Sequence, residues 1–368
     1  MMPDGKRLLI VGAGITGSSL AFELCQTFGK AIISKQVVVW DKSRGPGGRM
    51  STSRSPTNPE CRADLGAQYI SSSQETMRKY NRFYDALTKD HLLTEMVAPV
   101  EGNNPYQKPG IVDMIAPQGM SSMVKFFLQQ SGVKVETERE VKQIDAQFHR
   151  ECLTLLTTSG HTEDFHTVIL TIPVPQILKL KGTFADDSAK QTLAERSIQY
   201  SSKYSLVYFF DELTDVGLNF GFRFVDDDDI IRYISVDNIK RGKPDQPAAV
   251  VFHSTWQFGR DKVDTDKEEV EKLMMAKVVQ MFPDLPQPSA RKIHRWRYSQ
   301  VRSHNDRDSK EKSDVNGCFV LRKEKPIVIC AGDGFTESSL DGCLQSATKT
   351  VQYFKPALEE MFSPENIQ

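Results

Sequence analysis

The first hydrophobic pattern in the chain is a wholly apolar run, Leu8–Val11, whose length is typical of a buried strand. A glycine-rich turn follows it and leads into a segment with helical character. A second apolar run, Val37–Trp40, comes next and ends at Asp41. The order strand, helix, strand predicts a βαβ unit with parallel strands at the start of the chain.

Farther along the chain, helical spacing and strand-like runs alternate. Helical spacing predicts helices over Glu75–Lys89, Ser121–Gln130, Lys267–Met281 and Leu340–Phe354. Short apolar runs predict strands at Val133–Val135, Val141–Ile144, Cys152–Thr157, Thr167–Thr171 and Pro326–Ala331. Between Ser197 and Gln257, strand-like stretches follow one another with few helical signals, which indicates an antiparallel sheet.

These elements predict an α/β protein, α+β overall, in which βαβ character at both ends encloses a mainly antiparallel middle. We expect a Rossmann-type dinucleotide-binding domain assembled from residues 1–82, 110–175 and 290–356. A second, mainly antiparallel β domain is expected from residues 83–109 and 176–289.

With 368 residues, 39% of them hydrophobic and 26% charged, the chain can bury a full core in one or two domains. The formal net charge of -1 gives no long-range attraction to nucleic acid or anionic lipid. No stretch has the length and hydrophobicity needed to span a bilayer. We therefore expect neither nucleic acid nor a membrane as a partner, and we expect a monomer.

The six cysteines include no C-x-x-C pair, so we expect no zinc site and no other bound metal. This usage is typical of a reducing compartment, and the expected location is the cytoplasm. The N-terminal apolar run carries the glycine turn, which cleavage as a signal peptide would remove. Export without cleavage is the alternative location.

Three glycines, Gly12, Gly14 and Gly17, stand where the first strand turns into the first helix, in the spacing G-x-G-x-x-G. The first allows a tight turn, the second lets the backbone approach a pyrophosphate, and the third lets the helix pack closely on the strand. Free N–H groups at the helix start favour an anion, and Asp41 would accept hydrogen bonds from a ribose diol. Together they form the dinucleotide-binding fingerprint in its required context.

The residues after Asp41 favour FAD over NAD as the dinucleotide. The segment Arg44–Arg49 reads RGPGGR and follows the acidic strand end directly. NAD enzymes do not need such a segment, whereas the diphosphate and ribityl chain of FAD extend past the first helix. Gly48 and Arg49 would bring a backbone donor and a cation to the pyrophosphate, so we expect the first domain to bind FAD and the second to bind the substrate.

Several motifs resemble those of the renalases, a group within the FAD-dependent amine-oxidase-like flavoproteins. They run in the same order as in that group, from about Leu8 to about Tyr353: the fingerprint, GGRM, DLGAQY, IAPQGMSS, LTIPVPQIL, HRWRYSQV and AGDGFTESSLDGC. The resemblance implies two domains and noncovalent FAD. It also implies oxidation of 2- and 6-dihydro isomers of NAD(P) to NAD(P)+, with dioxygen reduced to hydrogen peroxide.

The resemblance also implies roles for single residues. Phosphates, pyrophosphate and ribityl hydroxyls would be contacted by Thr16, Arg49 and Asp333 respectively, with Gln68 and Tyr69 beside the flavin. The expected cofactor-binding set is Gly12, Gly14, Thr16, Gly17, Asp41, Lys42, Gly48, Arg49, Gln68, Tyr69 and Asp333. The expected catalytic set is Asn238, His253 and Tyr69, of which the first two would face the nicotinamide carboxamide.

Each of these assignments has a purely structural alternative. Asp333 would serve as a helix N-cap, and Tyr69 would pack in the core. His253 would be a satisfied residue between apolar strand positions, and Asn238 would belong to the turn before Lys240-Arg241-Gly242.

The sequence leaves three functions open. The chain has one complete G-x-G-x-x-G, so FAD would fill the dinucleotide site. A nicotinamide substrate would then bind mainly through its reacting ring. That ring needs no acid–base pair to lose a hydride. The alternative is FAD-dependent oxidation of a small primary amine, for which Phe335 offers one of the two aromatic residues that the wider group often places by the flavin. A prenyl-protein escort without FAD is the third, and GGRM and the C-terminal G-D-G argue against it.

Overall fold

The structure is a computed structural model that describes residues 6–105, 107–302 and 317–363. The chain divides into two compact units. The first unit contains residues 1–48, 124–199 and 301–368, and the second contains residues 49–123 and 200–300. Where the predicted domains run through residues 1–5, 106 and 303–316, those positions lie outside the described residues.

The strands, in chain order, are β1 Leu8–Val11, β2 Val37–Trp40, β3 Thr52–Arg54, β4 Arg62–Asp64, β5 Ile70–Ser73, β6 Thr94–Glu95, β7 Val100–Glu101, β8 Ile111–Ile115, β9 Lys134–Glu136, β10 Val141–Gln147, β11 Cys152–Thr157, β12 Thr162–Phe165, β13 Thr167–Leu170, β14 Gln199–Tyr200, β15 Lys203–Phe209, β16 Phe222–Phe224, β17 Ile231–Val236, β18 Ala249–Ser254, β19 Ala290–Trp296, β20 Val301–Arg302, β21 Cys318–Arg322 and β22 Ile327–Ala331. The α-helices are α1 Ile15–Phe28, α2 Lys30–Gln36, α3 Gln74–Lys79, α4 Asn81–Lys89, α5 Ser121–Ser131, α6 Val174–Ile177, α7 Asp187–Glu195, α8 Asp237–Lys240, α9 Trp256–Asp261, α10 Lys267–Met281 and α11 Leu340–Met361.

The first unit contains a six-stranded sheet in the order β21-β22-β13-β1-β2-β9. Its strands are parallel except for β21, which pairs antiparallel with β22. Every residue of β1, β2, β13 and β22 is buried, the pattern of strands covered on both faces. The predicted βαβ unit is confirmed, since α1 and α2 connect β1 to its parallel neighbour β2.

The second unit contains a six-stranded sheet in the order β19-β15-β18-β17-β16-β7. Adjacent strands are antiparallel except β16 and β7. On one face Leu206, Ile234 and Phe252 join Val270 and Met274 of α10 in an apolar core. The antiparallel middle predicted from the sequence is thus confirmed, and the α/β fold class with it.

The two units do not follow the predicted domain boundaries. Residues 49–82 and 110–123 fall in the second unit, because β4 contacts β18 and β5 pairs with β8 there. Residues 290–300 also belong to it, since β19 is the edge strand beside β15. Residues 176–199 belong to the first unit instead, because apolar side chains of α6, α7 and the segment between them join the core of the parallel sheet.

Two predicted helices differ from those observed. The stretch over Glu75–Lys89 forms α3 and α4, which are separated at Tyr80, where φ is -108° and ψ is 33°. The final helix does not stop at Phe354 but continues to Met361 with Pro356 inside it. Helical periodicity therefore located both segments but missed a break in one and the length of the other.

Candidate functional site

The glycine turn between β1 and α1 is held by short backbone contacts within the first unit. Gly12 has φ of +111°, a conformation that favours glycine, and its N–H donates to the carbonyl of Trp40 at 2.7 Å. A Cβ at Gly17 would lie 2.0 Å from the carbonyl oxygen of Gly12, so α1 packs on the turn at a distance that no other residue permits. The Thr171 hydroxyl, 3.0 Å from the carbonyl oxygens of Val11 and Gly12, closes the turn from the next strand.

Gly14 faces open space at the start of α1. A Cβ added there would meet no atom within 4 Å, and α1 has no side-chain hydrogen bond capping its N-terminus. Gly47 donates its N–H to the carbonyl of Ala13 at 2.9 Å, and a Cβ on Gly48 would lie 3.4 Å from the Cα of Gly14. The two glycine segments singled out by sequence therefore meet, and they leave an uncapped helix N-terminus where an anion is favoured.

Asp41 lies at the end of β2 beside this turn. Its Oδ2 accepts the Ala13 N–H at 2.7 Å and its Oδ1 accepts the Ser43 N–H at 2.8 Å. The carboxylate thus stabilises the turn with one lone pair on each oxygen and keeps acceptor capacity for a ribose diol. Lys42 is exposed, with Nζ 3.5 Å from Oε1 of Gln176.

The end of β22 converges on the same turn. Gly332 has φ of +134°, and a Cβ there would lie 3.8 Å from the hydroxyl oxygen of Thr16. Asp333 follows it, is 4% exposed, and accepts a hydrogen bond from the Ser338 hydroxyl at 3.0 Å. It does not cap α11, whose N-cap is Ser339.

These first-unit groups fit the ribose and phosphates of a dinucleotide. The open space at Gly14 leaves room for a phosphate, and the uncapped start of α1 supplies backbone N–H donors. The carboxylates of Asp41 and Asp333 supply acceptors for diol hydroxyls. Sequence reasoning found each of them except Thr171, whose role depends on the pairing of β13 with β1.

Arg49 stands at the start of the second unit, in a short 3-10 turn over Gly48–Met50. Its Nη1 donates to the carbonyl of Ser299 at 3.2 Å, and its own carbonyl accepts the Ala67 N–H at 2.9 Å. A Cβ on Gly66 would lie 2.1 Å from that carbonyl oxygen. The DLGAQY segment is therefore packed directly on the backbone of Arg49.

A buried ion cluster holds the same segment from the other side. We use this name for Asp64, Asp237, Lys240 and Arg241. Lys240 Nζ lies 2.9 Å from Asp64 Oδ2 and 2.7 Å from Asp237 Oδ1, and Arg241 Nη2 lies 2.9 Å from an oxygen of each carboxylate. Burial alone would raise the pKa of Asp64, but the two cations hold that pKa well below its usual value.

Gln68 is tied to this cluster through its whole side-chain amide. Its Oε1 accepts from Ser235 Oγ at 2.9 Å and from Lys240 Nζ at 3.1 Å. Its Nε2 donates to the carbonyls of Asp64 at 2.5 Å and Gly66 at 3.3 Å. The side chain expected beside a flavin is thus fully used within the second unit, where it fixes the shape of the DLGAQY segment.

His253 points from β18 toward that segment. Its Nε2 lies 3.0 Å from the carbonyl oxygen of Leu65, a contact that requires a proton on Nε2 and leaves Nδ1 as an acceptor. Burial, with the nearby Lys203 and Lys240 charges, lowers the pKa of His253 to about 3. The imidazole is therefore neutral at physiological pH and carries its available lone pair on Nδ1.

The other two residues of the expected catalytic set are placed differently. Tyr69 packs edge-on against Phe222, with ring centroids 5.5 Å apart, in a cluster on one face of the sheet. Asn238 lies beyond the end of β17, in α8, and its Nδ2 donates to the carbonyl of Gln246 at 3.2 Å. Strand register puts Tyr233, not Asn238, opposite His253. Asn238 lies five positions after Tyr233, beyond the end of β17, and its expected role beside the nicotinamide carboxamide stays a prediction.

Two comparisons match families over most of the chain. Residues 10–87 match the model of an NAD(P)-binding Rossmann-like domain, and residues 100–353 match the flavin containing amine oxidoreductase model. Renalase from Mus musculus is 37% identical over 359 residues, covering 95% of this chain and 99% of its own length.

A solved structure shares the fold. The putative protoporphyrinogen oxidase from Exiguobacterium sp. 255-15 superposes with a TM-score of 0.69 over 97% of this chain and 100% of that chain. At 12% identity, that likeness concerns the fold alone.

Two further features concern the part of the chain that the structure describes. It contains no helix with the length and hydrophobicity needed to cross a membrane, and no three His, Cys, Asp or Glu side chains gather there as metal ligands. All six cysteines are buried and free of disulfides.

Proposed function

The chain belongs to the renalase-like members of the flavin-containing amine oxidoreductases, and from that premise we propose that it oxidises dihydro isomers of NAD(P). The protein is an FAD-dependent oxidoreductase. The proposed substrates are 2- and 6-dihydro-NAD(P), which become NAD(P)+ when a hydride leaves the ring. Dioxygen and one proton take up that hydride to give hydrogen peroxide.

FAD, when bound, supplies the hydride acceptor and passes the electrons to dioxygen. We assign its phosphates to Gly14, Thr16 and Gly48, with Lys42 and Arg49 as their cations. Asp41 would hold the adenosine ribose, and Asp333 the ribityl hydroxyls. Gly12 and Gly17 shape the turn between β1 and α1.

The neutral imidazole of His253 is the observation that favours a dihydronicotinamide as the substrate. A pKa of about 3 makes His253 ineffective as a proton acceptor near neutral pH, but a good hydrogen-bond acceptor at Nδ1. A dihydronicotinamide loses a hydride without first losing a proton, so a residue that orients its carboxamide is all that the ring requires. This behaviour supports the proposed reaction.

Phe335 argues against the alternative, oxidation of a small primary amine. It is 3% exposed and stacks on Phe319 at 6.3 Å within the apolar core of the first unit. A ring enclosed in that core does not supply the amine-binding aromatic wall that the alternative needs.

The test is anaerobic flavin reduction by 2- and 6-dihydro-NAD(P), ordinary 1,4-NAD(P)H and a panel of primary amines. We expect rapid bleaching by one or both isomers, a rate nearly constant between about pH 6 and pH 9 because His253 stays neutral, and one hydrogen peroxide per substrate in air. Fast bleaching by an amine, with a rate that rises as the amine deprotonates, would favour the alternative and contradict the proposal.

We also propose a monomeric, cytoplasmic protein. Six buried cysteines without a disulfide among them are typical of a reducing compartment. Light scattering of the purified protein and fractionation of cells that express it test the two statements separately.

A further inference from the structure

Tyr233 is the residue that faces His253 across the central strands of the second unit. The antiparallel register of β17 and β18 pairs the two residues directly, so their side chains project from the same face of the sheet. Their ring centroids lie 5.5 Å apart with an interplanar angle of 34°. A neutral acceptor and a phenol are therefore neighbours on one surface.

The hydroxyl group of Tyr233 is buried without a hydrogen-bond partner among the described residues. The side chain is 7% exposed, and its ring packs against Phe222 and Phe224 at centroid distances of 6.0 and 5.3 Å. Burial, together with Tyr69 and the nearby carboxylates, raises the pKa of Tyr233 well above its ordinary value, so the hydroxyl keeps its proton. A phenylalanine would fill the same space without leaving a buried donor unpaired. The free-energy cost of the unpaired Tyr233 hydroxyl therefore calls for an explanation.

We propose that Tyr233 and His253 together recognise the carboxamide of the nicotinamide ring, a role that rests on the proposed function. The Tyr233 hydroxyl donates to the carboxamide oxygen, and Nδ1 of His253 accepts from the carboxamide N–H. A carboxamide offers one acceptor and two donor hydrogens, which this donor and acceptor complement in the correct sense. The contact needs a small shift of the partly exposed side chains beside the hydroxyl, among them Tyr69.

The Leu65 carbonyl acts as a positioning group for this pair. It accepts from Ser205 Oγ at 2.6 Å and lies 3.0 Å from both His253 Nε2 and Trp296 Nε1. Because it holds the proton on Nε2, it leaves Nδ1 without one and gives the imidazole the acceptor function that the pair requires.

The matched variants are Tyr233→Phe and Tyr204→Phe, which each remove one buried hydroxyl from the same sheet. Tyr204 lies in the apolar core of the opposite face, and its hydroxyl donates to the Lys262 carbonyl at 2.8 Å. We expect Tyr204→Phe to lower the melting temperature of the FAD-loaded protein. Tyr233→Phe should melt at or above the wild-type temperature, because it removes an unpaired donor.

Substrate recognition is measured by anaerobic stopped-flow reduction with the reactive isomer and with its acetyl analogue, in which a methyl group replaces the carboxamide NH2. Tyr233→Phe should raise the apparent Kd for both compounds about tenfold, since both keep the carbonyl oxygen that the hydroxyl contacts. His253→Phe should raise the apparent Kd of the carboxamide compound by a similar factor and leave that of the acetyl analogue unchanged. Tyr204→Phe should change the apparent Kd of neither compound.

Four results contradict parts of this assignment in distinguishable ways. An unchanged Kd in Tyr233→Phe, or a melting temperature lowered as in Tyr204→Phe, would overturn the role of Tyr233 while the proposed function stands. Equal weakening of both compounds by His253→Phe would overturn the role of Nδ1. A wild-type protein that neither isomer reduces would contradict the proposed function itself.

Discussion

At the scale of single residues, the glycines of the fingerprint have different physical tasks. Gly17→Ala would force a Cβ to within 2.0 Å of the Gly12 carbonyl oxygen, whereas Gly14→Ala meets no atom within 4 Å. We expect Gly17→Ala to reduce the free energy of unfolding by at least 2 kcal/mol, roughly the cost of overpacking. Gly14→Ala should leave the FAD-free protein as stable as wild type but weaken FAD binding at least tenfold, because the methyl group occupies the cradle.

Urea unfolding of the FAD-free variants and flavin fluorescence titration measure the two effects. Equal FAD affinity in Gly14→Ala and wild type would show that the space at Gly14 does not receive the cofactor. Gly45→Ala, where a Cβ also meets nothing within 4 Å, is the matched control outside the fingerprint.

The low pKa of His253 makes a prediction about acid stability. Its pKa is about 3 in the folded protein against an ordinary value of 6.5, so between these values the unfolded chain binds a proton that the folded chain does not. The stabilisation is fully present above pH 6.5 and is lost as the pH falls toward 3. By pH 5 the loss is at most about 2 kcal/mol, because pH 5 lies about 1.5 units below the ordinary pKa, and the partial exposure of His253 makes the loss smaller.

Urea unfolding at pH 7.5 and pH 5 of wild type and His253→Gln isolates this contribution. Glutamine can still donate to the Leu65 carbonyl but does not titrate. Wild type should lose more free energy of unfolding between the two pH values than the variant does. Equal losses of the free energy of unfolding in wild type and variant would mean that His253 does not titrate as the structure indicates.

At the scale of elements, α8 is a four-residue helix whose main task is electrostatic. Asp237, Lys240 and Arg241 are spaced so that the two cations and the acid meet on one side of it, and Asp64 arrives from β4. Lys240→Met would leave two buried carboxylates with one cation. We expect a loss of about 3–5 kcal/mol in the free energy of unfolding.

The exposed Lys272 of α10 provides the control for that substitution, since Lys272→Met should change stability by no more than about 0.5 kcal/mol. Chemical denaturation at neutral pH compares the two. A cost below about 1 kcal/mol for Lys240→Met would mean that Arg241 alone neutralises the cluster.

At the scale of the whole molecule, chain order and spatial order differ. Each unit is assembled from separated segments, and strands at both ends of the chain, β1 and β22, belong to one parallel sheet. The glycine turn after β1 and the Gly332-Asp333 turn after β22 meet because parallel strands present their carboxyl ends at one edge of the sheet. The proposed site for FAD therefore depends on the completed first unit, not on the first fifty residues alone.

The sequence by itself determined the βαβ start, the antiparallel middle, the FAD fingerprint and the family, because these depend on short periodicities and on residues close together in the chain. Tertiary structure alone decided which segments share a unit, since Asp64 and Lys240 reveal their pairing only when the chain has folded. It also decided which side chain faces His253. The pairing of β17 with β18 contains an irregularity between Ile231 and Tyr233, and a shift of one residue moves every side chain to the other face. Tyr233 rather than Arg232 therefore stands opposite His253, and no local pattern in the chain records that register.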